Sequence, residues 1–147
     1  MSHTYSQNVV HVVFSTKERR KIIPAEFRPK VWAYVAGICK KHAIFVHAIG
    51  GMEDHVHLLM QIPPSLALAK AVAAIKANSA RWANEGANRI EWQQGYAAFS
   101  VSASNIPTVL RYIQNQAAHH RKMSFADEFC ALLKNHGLEY DPRFVLG

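Results

Sequence analysis

Apolar runs and polar interruptions divide the chain into alternating short and long segments. Residues 8–16 read NVVHVVFST, a β-branched run that predicts a buried strand. A basic stretch comes next, Lys17-Glu18-Arg19-Arg20-Lys21, with the composition of a turn or loop. Over residues 27–42, Val31, Val35 and Ile38 recur at helical spacing, with Gly37 a mild local weakness. Residues 43–49 and 54–62 predict two further strands, joined across Gly50-Gly51 as a hairpin turn. Pro63-Pro64 stops the second of these, and Ser65 can start a helix running to about residue 83. Its apolar stripe is Leu68, Val72, Ile75, Ser79 and Trp82.

Residues 85–91 are polar and loop-like, and residues 96–102, YAAFSVS, predict a fourth strand. Asn105 can cap a helix with Pro107 in its first turn, continuing to about residue 122. Ser124 opens a short final helix over residues 125–135, closed by Gly137. The order is β-α-β-β-α-β followed by two helices. It predicts an α+β fold, a ferredoxin-like antiparallel sheet with two additional C-terminal helices. No internal repeat, low-complexity tract or long linker interrupts the 147 residues, so one domain over 1–147 is expected. That fold hosts many functions and settles none of them.

Composition narrows the field. Half the residues are hydrophobic and 18% are charged, as in ordinary globular proteins. The formal charge of +7 points to a polyanionic partner, nucleic acid first and a membrane surface second. Cys39 and Cys130 are too few for a disulfide framework and neither lies in a CxxC motif, which fits reduced thiols in the cytoplasm. No apolar run approaches the roughly 18–20 residues that span a bilayer. The start, Met1-Ser2-His3-Thr4-Tyr5, lacks the basic and apolar regions of a signal peptide. A cytoplasmic protein without a membrane partner is expected.

The chemistry concentrates in Glu53-Asp54-His55-Val56-His57-Leu58-Leu59-Met60. On a strand, His55 and His57 project from one face with Cα atoms roughly 6–7 Å apart, while Val56 and Leu58 turn to the other. Two imidazoles on a rigid strand make a two-point ligand for a divalent metal. On the helix over residues 105–122, Tyr112 and Gln116 are four apart and share a surface, with His119 and His120 one turn further. Val109, Ile113 and Ala117 supply a separate apolar stripe that can dock on the sheet. Only about one phenol in a thousand is ionised at pH 7, a cost of about 4 kcal/mol that a metal or general base offsets in part. A divalent metal also polarises a phosphate. His55, His57 and the carboxamide oxygen of Gln116 can hold such a metal with positions left for phosphate. Magnesium or manganese accepts such mixed ligation, although two histidines are unusual for magnesium. The combination suggests phosphodiester cleavage with Tyr112 as nucleophile. Each part also has a plainer reading: a packed His-x-His pair, a structural tyrosine, a solvated helix end at His119-His120-Arg121-Lys122.

Four segments, NVVHVVFSTKERR, GGMEDHVHLLMQIP, WQQGYAAFSVS and RYIQNQAAHH, are spread in order over most of the chain. Together they resemble the single-tyrosine HUH transposases of the insertion-sequence two-hundred type, including the REP-associated tyrosine transposases. The resemblance implies HUH histidines at His55 and His57 on a central strand, with Tyr112 the nucleophile and Gln116 the third metal ligand. It implies cutting of single-stranded DNA near hairpin-forming ends, a 5′-phosphotyrosine link, a released 3′-hydroxyl, and rejoining without external energy. It further implies a homodimer whose active sites combine the histidines of one subunit with the tyrosine helix of the other.

Two other functions fit the residues. A non-catalytic module could grip single strands through phosphate contacts and stacking. The candidates for phosphate contact are Lys17, Arg19, Arg20, Lys21, Lys76, Arg81, Arg111, His119, His120, Arg121 and Lys122. A metallo-hydrolase could use metal-bound water, leaving Tyr112 structural and no protein adduct.

Overall fold

A computed structural model describes residues 3–145 of the chain. Met1, Ser2, Leu146 and Gly147 lie outside the described residues, so the reading of the first two residues is not addressed by it. Strands β1 (Val9–Ser15), β2 (Phe45–Met52), β3 (His55–Gln61) and β4 (Ala97–Ser100) form one antiparallel sheet in the order β2-β3-β1-β4. Helix α1 (Arg28–Lys41) connects β1 to β2, and α2 (Leu68–Asn84) connects β3 to β4. This is the expected ferredoxin-like arrangement, with the two HUH-type histidines on an interior strand.

Alternation along β1 and β3 assigns the two faces of the sheet. Val12, Phe14, Val56, Leu58 and Met60 pack against Val31, Val35, Val72 and Ile75, the predicted stripes of α1 and α2. Removing such side chains from water, at roughly 1.5–3 kcal/mol each, makes this layer the main source of stability. The opposite face carries α3 (Ile106–Gln114), the single turn α4 (Gln116–His119) and α5 (Phe125–Asn135). Here Leu59 and Ala48 meet Ile113, while Val13, Ala97 and Phe99 meet Phe125, Phe129 and Leu133. Ser124 caps α5 as predicted, its Oγ accepting from the Asp127 amide at 3.2 Å, and Gly137 takes φ 69° just beyond the helix end.

The structure departs from the sequence reading at four places. Gly50 and Gly51 are not a turn but lie inside β2, paired with His57 and Val56, and the chain reverses at Glu53-Asp54. The helix expected over residues 105–122 is broken at Asn115 (φ −97°, ψ 19°), a residue of low helix propensity, which re-aims Gln116 and the residues beyond it. Neither Ser65 nor Asn105 caps through its side chain; α2 starts after Ala67, and a 3₁₀ turn over Ala103–Asn105 precedes α3. Val109 and Ile113 dock on the sheet as expected, but Ala117 is exposed, and beyond Ile113 the buried position is taken by Gln116.

The misplaced turn has a packing reason. A Cβ on Gly50 would stand 2.6 Å from the Ile113 carbonyl oxygen and 2.9 Å from its Cγ2, and one on Gly51 would collide with the His55 carbonyl oxygen. Glycine is required because α3 lies directly against the β2 backbone. Gly50→Ala is therefore expected to lower the unfolding free energy by about 1–3 kcal/mol, as overpacking does. A urea titration checks it: an unchanged midpoint would mean that α3 does not rest on β2.

Candidate active site

His55 and His57 point from β3 toward α3–α5, and both are 0% exposed. Ser15 and Val13 stand opposite them on β1, and His11 lies diagonally across from His57 on the same face. The turn before β3 is fixed from outside: Thr16 donates its amide to the Asp54 carbonyl at 2.9 Å, and Ile22 and Ile23 donate theirs to the Glu53 carbonyl at 3.1 and 3.0 Å. Asp54 then accepts from His55 Nδ1 at 2.7 Å. This commits the His55 ring proton outward and leaves Nε2 facing the site.

All the helical donors meet these rings around one carboxylate. Glu128 on α5 is 1% exposed. Its Oε1 lies 3.0 Å from His57 Nε2 and 3.1 Å from His120 Nε2. Its Oε2 accepts from Gln116 Nε2 at 3.0 Å and from the Tyr112 hydroxyl. Gln116, 2% exposed, thereby turns its Oε1 to His55 Nε2 at 2.8 Å and to His120 Nε2 at 2.9 Å. Phe125 stacks on the His55 ring, centroids 4.3 Å apart, and closes the site on the α5 side. The Tyr112 ring meets His57 edge-on at 5.7 Å. Tyr112, Gln116 and the histidine pair thus converge within a single chain.

Burial and charge set the protonation states. Burial pushes His57 down to about 4 despite the nearby Glu128, and burial with the His57 charge pushes His11 down to about 3. Both rings are neutral at pH 7, sharing a 2.8 Å bond between His11 Nε2 and His57 Nδ1. Burial alone would raise Glu128, but its bonds to His57, Tyr112 and Gln116 hold it well below the usual carboxylate range. Burial first, then the hydrogen bond to Glu128 and its charge, push Tyr112 far above an ordinary phenol. In this arrangement the phenol keeps its proton and donates it to Glu128.

Glu128 and His11 had no part in the sequence reading, yet each carried a signal. Phe125, Glu128, Phe129 and Leu132 fall at helical spacing, so a carboxylate occupies an apolar stripe. His11 shares a strand face with Val9 and Val13 in a run of buried residues.

The proposed phosphate contacts scatter. Arg121 and Lys122 are exposed and line, with Tyr112 and His119, an open groove at the phenol. Lys21 borders a second groove beside Asp54 and His120, its Nζ 4.0 Å from Glu53. His120 belongs to the buried centre, and His119 Nε2 lies 3.1 Å from Glu128 Oε2 without the alignment of a hydrogen bond. Lys17 pairs with Glu91 at 3.7 Å and Arg20 with Glu18 at 3.1 Å; Arg19 and Arg111 are exposed. Arg81 donates to Asn78 at 2.6 Å. Lys76 donates to the carbonyls of Gln93 (2.9 Å) and Gly95 and sits over the Phe14 ring, which occupies its ammonium within the fold. Among the described residues no helix is long and apolar enough to cross a membrane.

Comparison with known proteins supplies the family. The chain is 26% identical over 124 residues to the transposase for insertion sequence element IS200 of Salmonella typhimurium, covering 79% of this chain and 81% of the relative. It is 25% identical over 114 residues to the ISDra2 transposase TnpA of Deinococcus radiodurans, covering 72% and 81%. In fold it resembles a REP-associated tyrosine transposase solved bound to a REP hairpin, with TM-score 0.62, 14% identity, and coverage of 82% of this chain and 73% of that one. Residues 4–116, from before β1 through Tyr112 to Gln116, match the family described as transposase IS200 like. With the histidine pair, tyrosine and glutamine inside that span and brought together in space, the chain belongs to the IS200-like transposase family.

Proposed function

We propose that this transposase cleaves and rejoins single-stranded DNA near hairpin-forming ends through a 5′-phosphotyrosine intermediate. The observation that carries the reading is the convergence of Tyr112, His57 and Gln116 on one buried carboxylate, with His55 held by Gln116. Tyr112 Oη attacks the phosphorus, a new O–P bond forms, and the bond to the 3′ oxygen breaks, leaving a 3′-hydroxyl once that oxygen takes a proton. The phenol proton passes along its hydrogen bond to Glu128 Oε2 as the O–P bond forms, and Glu128 returns one proton to the site as the 3′ oxygen leaves. Attack by a 3′-hydroxyl on the phosphotyrosine reverses the step and rejoins strands.

His55, His57 and Gln116 are the residues proposed to hold a divalent metal, magnesium or manganese. The donor set fits one: His55 presents a ring nitrogen without its proton to a carboxamide oxygen, two acceptors facing each other at 2.8 Å. When bound, the metal supplies positive charge that polarises the phosphate and offsets the charge of a forming phenolate. His11 orients the His57 ring, and the pair can exchange donor and acceptor roles so that His57 Nε2 is free to ligate. The groove at Tyr112, edged by Arg121 and Lys122, is the proposed path of the strand. Under a homodimer with shared sites, α3–α5 of one copy would make these same contacts on the sheet of the other.

A denaturing-gel assay tests the chemistry, using hairpin-containing single-stranded DNA from the gene's own flanks, labelled 3′ of the cut. A labelled protein band is expected with metal, lost with chelator and lost in Tyr112→Phe while DNA binding stays. An adduct retained in that variant would move the nucleophile elsewhere, and free ends without any adduct would favour metal-bound water. Mixing Tyr112→Phe with His57→Ala chains separates the two assemblies: adduct reappears with shared sites and stays absent where each chain uses its own. His11→Leu is expected to weaken manganese binding about 10–100-fold, as loss of a ligand's orienting partner does. Calorimetry reads this directly, and an unchanged affinity would remove His11 from the site's support.

A further inference from the structure

The hydrogen-bond accounting at the site does not close on Gln116. His120 Nδ1 lies 2.8 Å from the Met123 carbonyl oxygen, which can only accept, so that nitrogen carries the ring proton. In the neutral ring Nε2 then presents a lone pair, and it faces two more acceptors, Gln116 Oε1 at 2.9 Å and Glu128 Oε1 at 3.1 Å. His55 is arranged identically, with Nδ1 committed to Asp54 and Nε2 aimed at Gln116 Oε1. Side-chain exposure is 0% for His55, 8% for His120 and 1% for Glu128, so water reaches these atoms little or not at all.

Gln116 Oε1 and Glu128 Oε1 lie 2.8 and 3.5 Å from His55 Nε2 and 2.9 and 3.1 Å from His120 Nε2, and one cation among these four atoms would satisfy all of them. Donors about 2.1 Å from a common ion stand about 3 Å apart, so the spacing fits. His120 also has the outer contact usual for a metal-bound histidine, its other nitrogen donating to a backbone carbonyl. Its ligand atom and that of Glu128 come from the segment beyond residue 116, past the family match.

We infer that His120 and Glu128 complete the metal site as ligands, giving a centre of three histidines, one carboxylate and the Gln116 carboxamide. This rests on the metal-assisted reading above and names the rest of its coordination. Glu128 then has two jobs on two atoms: Oε1 toward the ion, Oε2 on Tyr112 and Gln116. The ion and the nucleophile are thereby held by one side chain. Three imidazoles also disfavour magnesium, which keeps oxygen ligands, relative to manganese.

The experiment is manganese binding to the full chain by calorimetry, for wild type, His57→Ala, His120→Gln and Glu128→Gln. Pulsed electron paramagnetic resonance of manganese on the wild-type chain is recorded alongside. At least a tenfold loss of affinity is expected in both His120→Gln and Glu128→Gln, with three coupled imidazole nitrogens in wild type. Loss of binding in His57→Ala with less than a twofold change in His120→Gln and Glu128→Gln would overturn the inference and leave the metal reading standing. Two coupled imidazoles would overturn it without relying on any variant's fold. No manganese binding by wild type would remove both.

Discussion

A charged carboxylate removed from water must be compensated by groups placed around it, and at Glu128 this requirement ties the C-terminal helices to the sheet. An ionised carboxylate taken out of water costs several kcal/mol where hydrogen-bond donors do not replace its hydration. Glu128 is met by His57 from β3, Tyr112 from α3, Gln116 from α4 and His120 from the turn after α4. None of those elements can shift by an ångström without stranding the charge. Apolar contacts alone would fix α3 and α5 on the sheet less exactingly, since hydrophobic burial is nearly indifferent to direction.

That constraint depends on α3 being able to reach the sheet. Gly50, paired with His57 across β2–β3, offers backbone where any other residue would offer a Cβ, and Ile113 settles against it. The close seat of Ile113 brings Tyr112, its neighbour on α3, to the edge of the His57 ring. The break at Asn115 then rotates Gln116 inward, and a continuous helix would have carried that side chain along a different path. The backbone at these two positions thus sets the reach of the two side chains proposed to carry the chemistry.

These same positions mark where the sequence was and was not legible. Alternation on β1 and β3, and the stripes of α1 and α2, announced the scaffold because apolar periodicity reports burial directly. The face shared by His55 and His57 came from strand geometry alone, whereas helical spacing brought Tyr112 and Gln116 to notice but not the break at Asn115 across which they meet on Glu128. Gly50-Gly51 misled because the local signal for a hairpin turn is identical to the signal for close backbone approach. Only the tertiary neighbour, Ile113, tells them apart. Glu128 stayed hidden for a related reason: an acidic residue in the first turn of a helix has an ordinary role there, and its burial depends on what the helix covers. The lysines and arginines were the least legible, since charge on an exposed side chain does not encode its neighbours; Lys76 is held by carbonyls of its own fold.

The two faces of the sheet divide stability from chemistry. Among the described residues, nine polar or charged side chains are buried, and five of them, His11, His55, His57, Gln116 and Glu128, belong to one cluster on the α3–α5 face. Each such group costs stability unless a partner meets it, and a set of acceptors turned toward one another is a cost the fold accepts at that spot. The α1–α2 face, built from valine, isoleucine and phenylalanine, supplies the compensating burial. Because β3 presents His55 and His57 to one layer and Val56 and Leu58 to the other, the strand that carries these polar groups is covered on both faces. A side-chain cluster held this way keeps its geometry when the groove at Tyr112 is open to solvent, since the rigidity comes from the far side of the sheet.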